Sequence, residues 1–285
     1  MIQSLRQIRR RIRSIENTEK LTHAMELIAV SKLRPLQERL GFCTEYFSKA
    51  DEMLQHFLAS FDSVDHPFLK ERKPKRKISL CVLTSGTGLC GSHNYDIIRA
   101  TEKFISEQKG TEVHLVTVGK KGCIYFKKKG LKITDVCIET RGHYSQGESD
   151  RLSQRLIDLF LSGEADEVHV AYTRFVSASR RRPTIEKILN LSVPATTDLT
   201  QYLIEPDIGT LVNDFIPFYI LSKMRFIMLN ALVCEHSARG MAMEEATDNA
   251  QEILEELILS RNKVRQANIT REIIEIISSA DALKG

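Results

Sequence analysis

No proline follows Pro217, and only Gly240 interrupts the run before Gly285. Across this stretch Ile220, Met224, Ile227, Ala231, Cys234, Ala238, Ala242, Ala246, Asn249, Ile253, Leu257, Ser260, Val264, Ala267, Arg271 and Ile274 recur at steps of four and three, with a few doubled fours. That is the spacing of a coiled-coil seam, and its middle, built of Ala and Cys, lets a second helix approach closely. A helix of roughly 65 residues is ~100 Å long at a fixed rise per residue, several times the width of a small domain. No single globule can bury it, so the seam needs another long helix.

The amino end supplies one. From Ser4 to about Leu58 the only glycine is Gly41, and Ile8, Ile12, Ile15, Leu21, Met25, Ile28, Leu33, Leu36 and Leu40 form a second stripe, with one slip between Ile28 and Leu33. Pro35 lies inside it. A proline removes one helical hydrogen bond and crowds the preceding turn, which predicts a bend or a local break near Lys32 to Arg34. The two ends satisfy each other if they wind together antiparallel with the middle of the chain as an insertion. That middle reads differently: 77–85, 112–120, 166–176 and 183–192 are β-rich, and helical stretches at 93–108 and 147–162 separate the first three. Such alternation predicts a mostly parallel sheet covered by helices. The expected class is α/β: a long antiparallel coiled coil of the N- and C-terminal helices with an inserted Rossmann-like sheet domain. The boundaries expected are 1–58 for the first helix, 77–205 for the α/β domain and 208–285 for the second helix.

Charge narrows the partners only a little. Net charge is +4, but residues 1–40 hold nine Lys or Arg against four Glu, and 70–77 is the basic run KERKPKRK. The cluster from Arg9 to Arg13 leaves open a coiled-coil adaptor for nucleic acid, although Glu16, Glu19 and Glu26 interrupt the basic face. Six cysteines are scattered singly, which predicts free thiols in a reducing compartment. No run of eighteen apolar residues is present, so no membrane span is expected. Cys90 and His93 have the spacing of half a zinc site without a second ligand pair nearby.

The stretch Gly86-Thr87-Gly88-Leu89-Cys90-Gly91 fits the G-x-G-x-x-G turn of dinucleotide-binding folds, and it sits after a strand and before a helix. The fold of that name also places an acid at the end of the second strand to hold a ribose hydroxyl. Here that strand ends Val118-Gly119-Lys120, and Glu112 stands at its opposite edge. Lys120 and Lys121 leave a phosphorylated ribose as an alternative, and with it a nicotinamide oxidoreductase. No substrate domain and no nucleophile constellation accompany the loop.

The end segments carry a more specific signal. The run 8–34, IRRRIRSIENTEKLTHAMELIAVSKLR, resembles the opening of the gamma subunit of F-type ATP synthases. The run 235–276 resembles its closing helix, above all AMEEATDNA and NKVRQANITRE. The middle agrees at Gly88-Leu89-Cys90-Gly91, at Tyr172 to Ser177 with Pro183, and at Tyr202, Glu205 and Pro206. The resemblance covers the whole chain in order. In this family an acidic-basic pair commonly precedes G-L-C-G, which makes Gly86 an accidental part of the fingerprint.

The resemblance implies a central-stalk rotor with no catalytic residue and no cofactor of its own. It stands as one copy in a ring of alpha and beta subunits, with an epsilon or delta-type subunit and the membrane c-ring at its foot, and without nucleic acid. It further implies that Lys20, Met25, Lys32, Arg265, Gln266 and Thr270 meet beta, and that Tyr202, Ile204 and Glu205 meet the membrane ring. No organelle leader begins the sequence, so the expected place is the cytoplasmic face of a bacterial inner membrane, in a proton-driven complex. The chain departs from the family pattern at His23, Pro35, Ile204, Gly240 and Ser278-Ser279.

Overall fold

In a computed structural model, residues 4–59, 67–69, 76–108, 110–138, 142–177, 179–191 and 208–282 are described. The elements run in the order α1 (Leu5–Ala59), β1 (Lys77–Leu83), α2 (His93–Glu107), β2 (Glu112–Val118), α3 (Lys120–Lys128), β3 (Ile133–Ile138), α4 (Gln146–Leu161), β4 (Glu167–Phe175), β5 (Arg181–Leu189) and α5 (Ile208–Ala282). The chain divides into two compact units, one of Ala29–Arg239 and one of Met1–Ile28 with Gly240–Gly285.

The larger unit is built on a five-stranded sheet of order β3-β2-β1-β4-β5. Its first four strands are parallel and β5 returns antiparallel along β4. The helices α2 and α3 cover one face over Leu80, Val82, Ile97, Leu115 and Phe126. The other face is larger, where α4 and the paired lengths of α1 and α5 close over Cys81, Val116, Leu156, Val170, Tyr172, Met224 and Ile227. Two apolar faces explain why β1 reads as a nearly unbroken hydrophobic run rather than an alternating one. The elements α3 and β3 lie outside the expected helices and strands. The former is nine residues with lysines at both ends, and the latter is a six-residue edge strand, so neither is long enough to show a period. Where the chain passes from β2 into α3, close approach to the end of β1 is set by glycine: at Gly119, φ is 87° and a Cβ would lie 1.9 Å from the Thr84 carbonyl oxygen.

Within this unit α1 and α5 run antiparallel. Tyr219 donates a hydrogen bond to Asp51 (2.6 Å), Phe47 stacks on Phe226 at 5.0 Å, and further along α1 the charge of Lys32 acts on Glu235. The α1 positions turned inward are Leu33, Leu36, Leu40, Cys43, Phe47, Ala50 and Leu54, at steps of three and four throughout. In the smaller unit the same steps pick out Ile8, Ile12, Ile15, Glu19, Thr22 and Glu26, and Thr247 donates to the Thr22 hydroxyl (2.8 Å).

Both expected stripes need correction. Leu21 and Ile28 are 61% and 56% exposed, while Thr22 and Ala29 take the buried places. The slip in the sequence stripe vanishes once small residues are admitted to the seam, because a heptad selects position before it selects side-chain size. On α5 the buried positions past Gly240 are Met243, Thr247 and Ala250, one residue after the expected Ala242, Ala246 and Asn249. Nearer the sheet the phase is hidden, since α5 is buried almost all round from Phe226 to Gly240. Beyond Val264 the helix is exposed on every side, so Ala267, Arg271 and Ile274 do not belong to a seam. The same burial accounts for an 18-residue window in α5 of mean hydropathy 1.4, apolar enough by composition to cross a bilayer, where the sequence reading expected no such stretch. It is 67% buried inside the protein.

The break expected at Pro35 is absent: α1 is continuous from Leu5 to Ala59 with Pro35 inside it and on its exposed side. The flanking turns, fastened by Leu33, Leu36 and Leu40, hold the helix together across the missing bond. The Ser31 carbonyl still lacks its helical donor. Hydrogen exchange at residues 32–34 is therefore expected to be faster than in the turns on either side. Replacing Pro35 with Ala should restore protection and raise stability by about 1–3 kcal/mol in thermal denaturation; uniform protection in the natural sequence would show that the proline costs nothing locally.

Candidate functional site

In sheets of this strand order, ligands enter the crevice outside the carboxyl ends of the strands where the winding changes direction, here between β1 and β4. The glycine loop leaves β1 at that point. Leu89 at φ 61° and Gly91 at φ 55° fold it back toward α2. Asn94, on the first turn of α2, closes the loop from inside: its Oδ1 accepts from the Ser85 amide (2.9 Å) and its Nδ2 donates to the Cys90 sulfur (3.1 Å).

The crevice is filled by α5. Arg239 extends from that helix into the loop and donates from Nη2 to the Thr87 hydroxyl (2.9 Å) and from Nε to the Gly88 carbonyl (3.4 Å). Its charge is balanced one turn back by Glu235, whose Oε1 accepts from Nη2 at 2.7 Å. Both residues are buried, at 3% exposure for Glu235 and 8% for Arg239. Burial pushes the Glu235 carboxyl above its ordinary range, against the pull of Arg239 and Lys32. The third member, His236, is kept neutral chiefly by burial, its pKa lowered to about 4, with Arg239, Lys32 and His143 pushing the same way and the bond to Gly142 opposing. A neutral ring with its proton on Nε2 satisfies both neighbours, donating to the Gly142 carbonyl (2.8 Å) and accepting at Nδ1 from Arg239 (3.3 Å). One turn of α5 thus holds the loop after β1 and the loop before α4.

Two further contacts repeat this pattern. Arg225 of α5 makes a two-pronged pair with Asp150 of α4, at 2.8 Å from each nitrogen. Asn230 accepts from the backbone amide of Phe175 at the end of β4 (3.1 Å) and donates back to its own helix at Phe226. Such charge-assisted and backbone bonds are directional, unlike the apolar packing around them.

These contacts remove the dinucleotide reading. A phosphate-binding turn offers backbone N–H groups to an anion, whereas here the guanidinium of Arg239 takes the loop's carbonyl and hydroxyl. The first turn of α2 carries Asp96, held by Ser92 (2.7 Å), where a phosphate would need to sit. Lys121 lies over Gly88, with its Nζ 3.5 Å from where a Cβ would be. The residues Glu235, His236 and Arg239 lie inside the run 235–276 that resembles the family's closing helix, where no role attached to them. Their signal was an acid, an imidazole and a guanidinium at positions 235, 236 and 239, ionisable groups directly after the apolar run Ala231-Leu232-Val233-Cys234.

The residues expected to meet other subunits separate. On the smaller unit Lys20 is exposed and Met25 half-buried beside the seam, while Arg265, Gln266 and Thr270 are exposed on the stretch of α5 that no helix covers. The Thr270 hydroxyl donates to the Gln266 carbonyl (3.0 Å). On the larger unit Lys32 is half-buried, 3.4 Å from His143 Nε2. Tyr202, Ile204 and Glu205 lie outside the described residues.

Comparison with known proteins follows the whole chain. The family model described as ATP synthase matches residues 4–283. The chain is 37% identical over 281 residues to the ATP synthase gamma chain of Desulfitobacterium hafniense, covering 99% of each protein. It is 35% identical to the ATP synthase gamma chain of Moorella thermoacetica, covering 98% of this chain and 99% of that one. A chain in the solved mitochondrial ATP synthase of Euglena gracilis, an assembly of OSCP, F1 and c-ring, superposes with a TM-score of 0.70 at 17% identity over 98% of this chain and 94% of its own. That likeness is one of fold.

The buried imidazoles set an acid limit on the larger unit. His93, like His236, has its pKa lowered to about 4 from an unfolded value of 6.5, chiefly by burial and then by Arg181 and Arg239. Between those two values the unfolded chain binds more protons than the folded one, so stability falls as pH drops from 6.5 to 4, on the order of 3 kcal/mol per ring. The raised carboxyl of Glu235 acts in the opposite direction and offsets part of this. Thermal midpoints measured across that window should decline with acidity, and His236→Gln, which retains a donor for Gly142, should roughly halve the slope; an unchanged slope would show that His236 is not buried neutral.

Proposed function

The chain belongs to the ATP synthase gamma-chain family, and from that membership we propose that it turns as the central-stalk rotor of a proton-translocating F-type ATP synthase. It is a non-catalytic subunit: it couples rotation of the membrane ring to ATP synthesis or hydrolysis on the beta subunits. Its partners are the alpha and beta subunits of the catalytic ring, an epsilon or delta-type subunit and the c-ring, with one copy per complex. It is peripheral to the membrane, and the cytoplasmic face of a bacterial inner membrane is the location that fits its bacterial relatives.

One observation carries the reading beyond likeness. The crevice that serves ligand binding in related sheets is occupied by α5 through Arg239, so the sheet is fastened to a 75-residue helix rather than left open to a substrate. A module whose site is filled by its own long helix is suited to carry load. Neither an oxidoreductase nor a nucleic-acid adaptor accounts for this arrangement. A rod that differs from side to side inside a threefold ring meets each catalytic site with a different face, and so biases the three conformations differently.

The contacts through which this happens are proposed residue by residue. Arg265 and Gln266, with Thr270 beside them, hydrogen-bond a loop of beta. Lys20, Met25 and Lys32 face its acidic lever, and Tyr202, Ile204 and Glu205 meet the membrane ring. The exposure of Arg265, Gln266, Thr270 and Lys20 supports this, since each is open to a partner. Arginine offers a planar fork that lysine does not reproduce. Arg265→Ala is expected to slow ATP turnover of the assembled complex about tenfold, the worth of one charged hydrogen bond, and Arg265→Lys to recover only part of it. The isolated chain should melt as before, because the residue has no seam to lose. Turnover and coupling equal to the unaltered complex would remove Arg265 from the beta contact.

A further inference from the structure

We propose that Asp51, Tyr219, Lys223 and Glu186 form a torsional lock that makes both long helices turn with the sheet, at the end of α1 remote from the catalytic contacts assigned above. The proposal rests on the rotor reading and deepens it by naming where torque enters the α1–α5 pair.

The Arg239, Arg225 and Asn230 contacts tie the sheet and α4 to α5 alone. α1 touches the loop before α4 through Lys32 and His143, and a route from the strands themselves to α1 runs through α5. One continuous set of polar contacts forms it. On the sheet, Tyr172 of β4 is fully buried and donates to Glu186 Oε1 of β5 (2.8 Å). The other oxygen of Glu186 faces Lys223 Nζ of α5 at 4.0 Å. One turn earlier on α5, the ring of Tyr219 lies under that ammonium, 5.9 Å from its centroid, and the phenol donates to Asp51 Oδ1 of α1 at 2.6 Å. Four elements are therefore linked, by a directional hydrogen bond at each end and by the charge of Lys223 between them, with Tyr219 itself 2% exposed. Lys223 feels both carboxylates: burial lowers its pKa, and Glu186 and Asp51 pull it back.

The surroundings show why this set is needed. Around it the seam is aromatic and aliphatic, with Phe47 against Tyr219 and Phe226 at 5.7 and 5.0 Å. Such packing resists separation but is tolerant of small rotations, because dispersion depends weakly on direction. A short hydrogen bond weakens steeply when its angle is bent. The phenol of Tyr219 is placed where a slip of α1 past α5 would break it first.

Tyr219→Phe deletes one oxygen and leaves the ring packing in place, so it tests the lock in the assembled complex. With the catalytic ring stalled and a bead on the sheet domain, the variance of the bead's angular fluctuations should rise about twofold, since one of a few directional links has been removed. Ions translocated per ATP hydrolysed under load should fall, while unloaded hydrolysis stays within about 1.5-fold of the unaltered complex. A purely structural role would lower the melting temperature of the chain without moving the fluctuations or the ion-to-ATP ratio, and that result overturns the proposal. If Tyr219→Phe does not assemble, Glu186→Gln, which keeps the acceptor for Tyr172 but removes the charge facing Lys223, decides by the same two readouts. Failure of the unaltered chain to turn within the ring would instead refute the rotor reading.

Discussion

A guanidinium with only 8% of its residue exposed has to find both a counter-charge and hydrogen-bond partners, and around Arg239 the larger unit supplies the charge and four acceptors. Glu235 brings the charge from the same helix. The loop after β1 brings a hydroxyl and a carbonyl, and His236 brings a ring nitrogen while its other nitrogen holds the loop before α4. Removing any one of these leaves a buried group unsatisfied, which costs far more than the bond itself is worth. The network therefore contributes specificity of seating more than net stability: α5 has one place on the sheet, and the crevice beside β1 has one occupant.

That seating turns an α/β domain from a ligand-binding module into a mechanical one without changing its topology. The order of the parallel strands and their crossovers are those of a nucleotide-binding sheet, but β5 runs antiparallel and the glycine turn is reached by a guanidinium of the chain itself. The opposite face, under α2 and α3, keeps its own apolar core and is free of the long helices. The face packed against the long helices and the face under α2 and α3 are thus distinct.

Much of this was legible in the amino-acid sequence. The two long terminal helices, the inserted parallel sheet and the failure of the dinucleotide fingerprint at its missing acid could all be read directly, although α5 runs on through Pro217 to 75 residues. What misled was side-chain size. Leu21 and Ile28 were taken for the seam because they are large and apolar, while Thr22 and Ala29 hold the buried positions. On α5 the apolar stretch near the sheet satisfies every phase at once, so the register past Gly240 was set one residue early. The short elements α3 and β3 lacked the length for a period to emerge, and Pro35 looked like a break because its neighbours' packing is invisible in one dimension. The clamp of Glu235, His236 and Arg239 was present as letters, but its meaning depended on two loops distant in sequence.

Past Val264, α5 carries Ile269, Ile273, Ile274, Ile276 and Ile277 with about half or more of each side chain bare. Five isoleucines on one uncovered segment are a poor match for water and a good one for other hydrophobic surfaces. This stretch of α5 is therefore poorly suited to remain soluble unaccompanied, and biogenesis of this subunit is safest when its partners are already present to receive it.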